Sequence, residues 1–290
     1  MNKKSKYLII TIALICIPLL FSSGCMKMAI RMSPEIFENM SGSVFEECDS
    51  DLAEKAIPGN LKILEGLLKN DPDNPELLRI LSMGFCGYSI LFVENDDKER
   101  ASALYYRAAT YGLQSIGINK KLESIEQEEL NTILNGISKK NINSLLWATV
   151  SWSSWINLNL HKPAVLSQLG MVKSCIDKLE DTNPHEFYGL PYLLKGIYLS
   201  ARSPMLGGNY EKSKEYFDNA LLSGNRKLFL TQYYYARYYC VGTQNKELFI
   251  SLLNEIIKST EQYPDELCLI NMAIRQKAEI LLESLDDFFI

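Results

Sequence analysis

Chemistry at neutral pH needs a group that exchanges protons, a nucleophile with a base beside it, or a bound metal. The 290-residue chain has two histidines, His161 and His185, and each lies beside a proline-marked turn. Neither has cysteine or carboxylate partners at ligand spacing, so both read as solvated turn residues, and no metal site is expected. The seven cysteines contain no C-x-x-C pair. There is no G-x-S-x-G or H-E-x-x-H, and Gly207-Gly208 is not followed by the Gly-Lys-Ser/Thr of a phosphate loop. Carboxylates such as Glu126, Glu128 and Glu129 fall on solvated faces. No enzyme and no cofactor are expected.

What remains is binding. Trp147, Trp152 and Trp155, spaced by Ala148, Ser151, Ser153 and Ser154, share a helix with a wheel sector of about 140°. Tyr88, Tyr233, Tyr234, Tyr235, Tyr238 and Tyr239 add to an aromatic surplus. Two readings stand side by side. One is core and inter-helix packing. The other is an apolar cleft or channel carrying a few polar groups, the usual form of a small-molecule site. Arg202 is either such a polar group or a partner for the last carbonyls of its own helix. The candidates for a ligand channel are therefore Trp147, Trp152, Trp155, Tyr88, Arg202 and Tyr234.

These residues must be held by helices, because no alternating strand pattern competes with the helical stripes. From Tyr192 to Gly224 two helices meet at a joint: Pro204 ends the first, Gly207 and Gly208 permit the turn, and Asn209 caps the second. The same landmarks recur 112 positions earlier, with Pro72 matching Pro184, Gly84 matching Gly196, Ala101 matching Ser213, Tyr105 matching Phe217 and Ala108 matching Ala220. The pattern is that of a tetratricopeptide-type helix pair. It predicts an all-α array of about ten to twelve helices with an internal repeat over about 60–113 and 172–225. Individual expectations are a helix start or kink at Pro58, a helix over about 76–93, a capping box at Asp96 and Glu99, and a weaker helix near 126–137. Further helices are expected from Pro163 to about Leu179, over 246–258 and over 266–285.

Lys3, Lys4 and Lys6 precede an apolar run from Tyr7 to about Phe21, which ends at Ser22-Ser23-Gly24-Cys25. Charge, length and small-residue exit predict a signal peptide over 1–24, since a spanning helix needs about 20 apolar residues. The exit resembles a bacterial lipoprotein cleavage site, with Cys25 lipidated, residues 25–51 a tether with a short helix, and 52–290 the helical domain. Five cysteines are then left, and Cys86, Cys175 and Cys240 fall in apolar helical patterns that suit core thiols. Net charge is −5 without a basic block, which argues against nucleic acid as a partner.

Ala56-I-P-G-N-L-K-I-L-E-G-L-L-K-N-D-P-D-N-P75, F-C-G-Y around Gly87, W-A-T-V-S-W-S-S-W and R-S-P-M-L-G-G occur in order. Together they resemble the TatT family, the T components of tripartite ATP-independent periplasmic (TRAP) transporter systems, over roughly Leu52 to Leu282. The resemblance implies a periplasmic lipoprotein in the inner or outer membrane, a homotrimer, association with the substrate-binding P component, and a passage for a hydrophobic ligand. The competing function is a cell-envelope module that binds a protein or peptide and has no small-molecule ligand.

Overall fold

The computed structural model describes residues 34–260 and 262–289, with Lys27 and Arg31; residues 1–24, expected to be a signal peptide, and Cys25 lie outside the described residues. Every regular element among the described residues is helical. The first four α-helices are α1 (Pro34–Phe45), α2 (Ser50–Leu68), α3 (Pro75–Tyr88) and α4 (Lys98–Ser115). The middle of the chain holds α5 (Gln127–Gly136), α6 (Ile142–Leu158), α7 (Pro163–Leu166), α8 (Leu169–Thr182), α9 (Glu186–Ser200) and α10 (Tyr210–Ser223). The last three are α11 (Phe229–Tyr234), α12 (Lys246–Lys258) and α13 (Cys268–Glu283). Helix α3 continues as a π-helical turn, Ser89–Val93, and α11 continues as another, Tyr235–Cys240. The array packs in antiparallel neighbours: α3 on α4, α4 on α6, α6 on α8, α9 on α10, and α12 on α13.

Local chemistry explains most of the ends. Asn74 accepts from the amides of Glu76 and Leu77 and starts α3 with Pro75 in its first turn. Asn209 accepts from the Lys212 amide (3.0 Å) to start α10. The matching cap of α4 is Asp97, which accepts from the Arg100 amide (2.9 Å), and not the box of Asp96 with Glu99 expected from spacing. The two caps stand 112 positions apart, like the landmarks read from the sequence. Their glycines differ in contact, however. Gly196 has no Cβ because the Phe217 ring would lie 3.1 Å from it, whereas Gly84 faces Leu61.

Two further local expectations are corrected, and one feature was not anticipated. Pro58 neither starts nor kinks a helix but lies inside α2. Ala53, Ile57, Leu61 and Leu64 stay buried on one face through it, and burying such side chains at about 1.5–3 kcal/mol each outweighs the roughly 3 kcal/mol that an interior proline costs. The helix expected from Pro163 to Leu179 is two, because the chain breaks at Gln168, whose side chain turns inward to accept the Trp152 indole N–H (2.7 Å). Helix α9 opens with left-handed residues, Phe187, Tyr188 and Gly189 (φ 43°, 58° and 81°), so regular helix starts at Leu190.

The segment before α2 is fastened to the domain rather than only tethered. Cys48 and Cys268 form a disulfide, while Cys86, Cys175 and Cys240 are buried thiols. Asp71, fully buried, accepts from Arg31 (2.5 Å) and lies 3.0 Å from the Lys27 ammonium. The hydrogen bond from Arg31 holds its carboxyl down to about 2. The stretch Pro75–Val93 is apolar and long enough to cross a membrane, but it is 72% buried in the domain and serves as a core helix.

Candidate functional site

A cavity lined by both apolar and charged side chains lies where α6, α9 and the two π-helical turns converge. Its volume is about 270 Å³. Helix α6 supplies Val150, Ser153, Ser154 and Asn157, a stripe at i, i+3/4 and i+7. Helix α9 supplies Leu190, Leu193, Leu194 and Ile197, and its last turn adds Tyr198 and then Arg202. The π-helical turns supply Ile90 on one side and Arg237 with Tyr238 on the other, with Tyr234 and Glu94 beside them. Exposed Lys98 stands at the rim.

The π-helical turns matter to the geometry. One extra residue per turn leaves carbonyls out of α-helical register, and such turns are common at functional sites. Here the Ile90 carbonyl accepts from the Lys277 ammonium of α13. Glu94, just past the turn, accepts from the Tyr105 hydroxyl (2.5 Å) and faces Arg237 at 3.5 Å. Arg237 also donates to the Tyr233 hydroxyl (3.2 Å). Burial pushes Lys277 down to about 8, against the pull of Glu94. Burial, then Glu94, pushes the Tyr238 phenol up to about 12, so it stays neutral at physiological pH.

Arg202 has a different environment. It is 5% exposed, its Nη1 donates to the Tyr198 carbonyl (2.6 Å), and its guanidinium lies 4.0 Å from the Tyr198 ring centroid. No carboxylate among the described residues lies within ion-pair distance of it, and burial lowers its pKa. Three buried atoms on this cavity have no hydrogen-bond partner among the described residues: Arg202 Nε, Ser153 Oγ and Asn157 Oδ1.

Of the six residues singled out from sequence, the structure brings Arg202 and Tyr234 to this cavity. The three tryptophans do not line it. Trp152 is fully buried against Gln168, Trp147 packs edge-on against Phe187 (5.5 Å), and Trp155 edge-on against Tyr106 (5.4 Å). The channel placement of Trp147, Trp152 and Trp155 is therefore corrected to core packing: Trp152 lies about 160° from Val150 around α6. Tyr88 belongs to a separate apolar groove under α1, with Phe37, Val44 and Leu91. At the joint, Pro204 opens a 3-10 turn, Gly207 carries φ 85°, and Gly208 packs against the Arg202 carbonyl.

Sequence reasoning passed over Glu94, Arg237, Lys277, Ser153 and Asn157. Two of them carried a signal. Arg237 is the lone charge in an aromatic decapeptide, and Lys277 sits on the apolar stripe of Ile270, Ile274 and Leu281. Among the described residues no group of histidine, cysteine and carboxylate side chains is arranged to hold a metal. His185 shares a hydrogen bond with Ser223 (2.9 Å), and His161 is exposed.

No curated relative matches the chain. The profile of the TRAP transporter T-component family matches residues 46–289, which is most of the chain, and the protein belongs to that family.

Proposed function

We propose that this TRAP transporter accessory component is a lipid-anchored periplasmic protein that binds the substrate-binding P component as a homotrimer and houses a hydrophobic ligand in the cavity between α6 and α9. The cavity carries the reading of a ligand: leucine, isoleucine and valine walls alternate with polar groups that include Arg202, Ser153 and Asn157 and, beside them, Arg237 and Glu94. The Cys48–Cys268 disulfide supports an extracytoplasmic site, because such bonds persist in oxidising compartments. Anchoring through Cys25 rests on the basic start, the short apolar run and the Gly24-Cys25 exit.

Native mass spectrometry of the protein purified from its own envelope tests the three parts together. The expected spectrum holds three copies, the P component, the acyl chains on Cys25 and an apolar molecule released on activation. A bare monomer with no added mass overturns the reading.

A further inference from the structure

We infer that the cavity takes an amphiphilic carboxylate: one anionic head seated on Arg202 and a short apolar body along α9. This rests on the reading of the cavity as a ligand site and names the class of ligand.

The argument starts from charge. A guanidinium does not give up its proton in a protein, so a buried one must be compensated where it stands. Arg237, at the same cavity, has Glu94 and the Tyr233 hydroxyl. Arg202 has one carbonyl and one aromatic face, and its Nε donor is buried with no acceptor. Carboxylates match the planar fork of a guanidinium with two parallel hydrogen bonds. Ser153, whose hydroxyl has no partner among the described residues, lines the same cavity and offers a donor. Asn157 presents a side-chain amide whose oxygen is likewise unpaired; with the amide turned over, its nitrogen becomes a further donor.

One anionic charge fits and two do not. Glu94 already occupies the other cationic end, so a second carboxylate would face it across the cavity. The remaining wall is apolar, from Leu190, Leu193, Leu194 and Ile197. Size sets the length of the body. A cavity of about 150 Å³ accepts benzene, so 270 Å³ holds roughly ten non-hydrogen atoms.

Octanoate and its neutral isostere octanamide are matched probes of that size. Calorimetric titration is done on the full-length protein in lipid nanodiscs, with empty nanodiscs as the blank. Octanoate should bind about tenfold or more tightly than octanamide, as expected for a charge-assisted pair. Arg202→Gln should abolish that preference. Equal affinities for the two probes on the wild type would overturn the carboxylate and leave the apolar cavity standing. Failure of both to bind would overturn the ligand site itself. A measurement without mutation guards against a variant that does not fold: the pH titration of carboxyl-labelled [1-13C]octanoate bound to the wild type. Its pKa should lie below that of the free acid if the head sits on Arg202. A raised value, the signature of apolar surroundings, refutes the assignment.

Discussion

Replacing Gly208 with alanine should damage the protein more than replacing Gly207, although Gly207 is the one with the left-handed backbone. Gly207 has φ 85° and open space where a Cβ would go, so Gly207→Ala costs only the conformational strain, about 1 kcal/mol. At Gly208 the obstacle is contact. An added Cβ would overlap the Arg202 carbonyl oxygen outright and lie 2.8 Å from its carbon and 3.0 Å from the Ser203 carbon. These are backbone atoms of the same turn, pinned by hydrogen bonds from the Gly208 amide to Ser203 (3.0 Å) and from the Asn209 amide to Leu199 (2.9 Å). They cannot yield as a side chain would, so the cost falls at the upper end of the 1–3 kcal/mol typical of overpacking, about 3 kcal/mol. At about 2–4 °C per kcal/mol for a domain of this size, Gly208→Ala should lower the melting temperature by about 6–12 °C and Gly207→Ala by about 2–4 °C. Differential scanning calorimetry of the two variants beside the wild type decides it. Because the displaced residue is Arg202, Gly208→Ala should also weaken octanoate binding. Equal or reversed losses of melting temperature would refute the argument from backbone contact.

The other predictions concern the tryptophans, a buried lysine and the anchor. Each of Trp147→Ala, Trp152→Ala and Trp155→Ala should cost about 3–5 kcal/mol as a core truncation, Trp152 most because Gln168 loses its partner. None should abolish binding of an apolar probe, and a tryptophan variant that kept its melting temperature but lost the probe would put that residue back in the site. Lys277 has a folded pKa near 8, below the roughly 10.4 of an unfolded lysine, so the unfolded state binds more protons between those values. Stability should therefore rise by up to about 3 kcal/mol from pH 8 to about 10 in the wild type relative to Lys277→Met. Denaturant unfolding at several pH values reads this difference, and parallel profiles for the two proteins would contradict it. The buried phenols of Tyr105 and Tyr234 oppose that rise in both proteins alike, since their folded pKa values are raised. Cys25→Ala should move the protein from the detergent phase to the aqueous phase in phase separation, and retention in the detergent phase would exclude lipidation there.

How much of this was legible depends on what each feature rests on. Helix α12 reads directly, because Phe249, Leu252, Leu253 and Ile256 make an apolar stripe between an asparagine cap and a lysine end. The joint at Pro204 reads for the same reason: its residues act locally. The π-helical turns at Ser89–Val93 and Tyr235–Cys240 do not read, since an α-helix of the same sequence shows the same periodicity. What selects them is tertiary contact, such as that of Lys277 with the Ile90 carbonyl. The site was half legible. Arg202 and Tyr234 stand out as polar groups in apolar surroundings. The tryptophans misled because an aromatic surplus measures how much is packed and not where space is left. The open face of α6 is the one with Ser153, Ser154 and Asn157, whose short side chains leave room.

The two helix pairs explain why the cavity lies where it does. On the repeat we propose from the sequence, residues 112 apart hold equivalent places and Ile90 is the counterpart of Arg202. Both line the cavity, so it forms where the first helices of the two units end. The units end differently. After Tyr88 the first continues as a π-helical turn and delivers Glu94, which accepts from Tyr105 and pairs with Arg237. After Ser200 the second stops, turns at Pro204 and leaves Arg202 without a counter-ion among the described residues. A symmetric pair of ends would have made an apolar seam or a closed ion pair, and either could be filled by protein alone. Divergence at the ends, on a shared helical register, produces a chamber whose charge is balanced on one side only. The unbalanced side is the one whose position is set by Gly208, so the packing of the joint also fixes the shape of the cavity at Arg202.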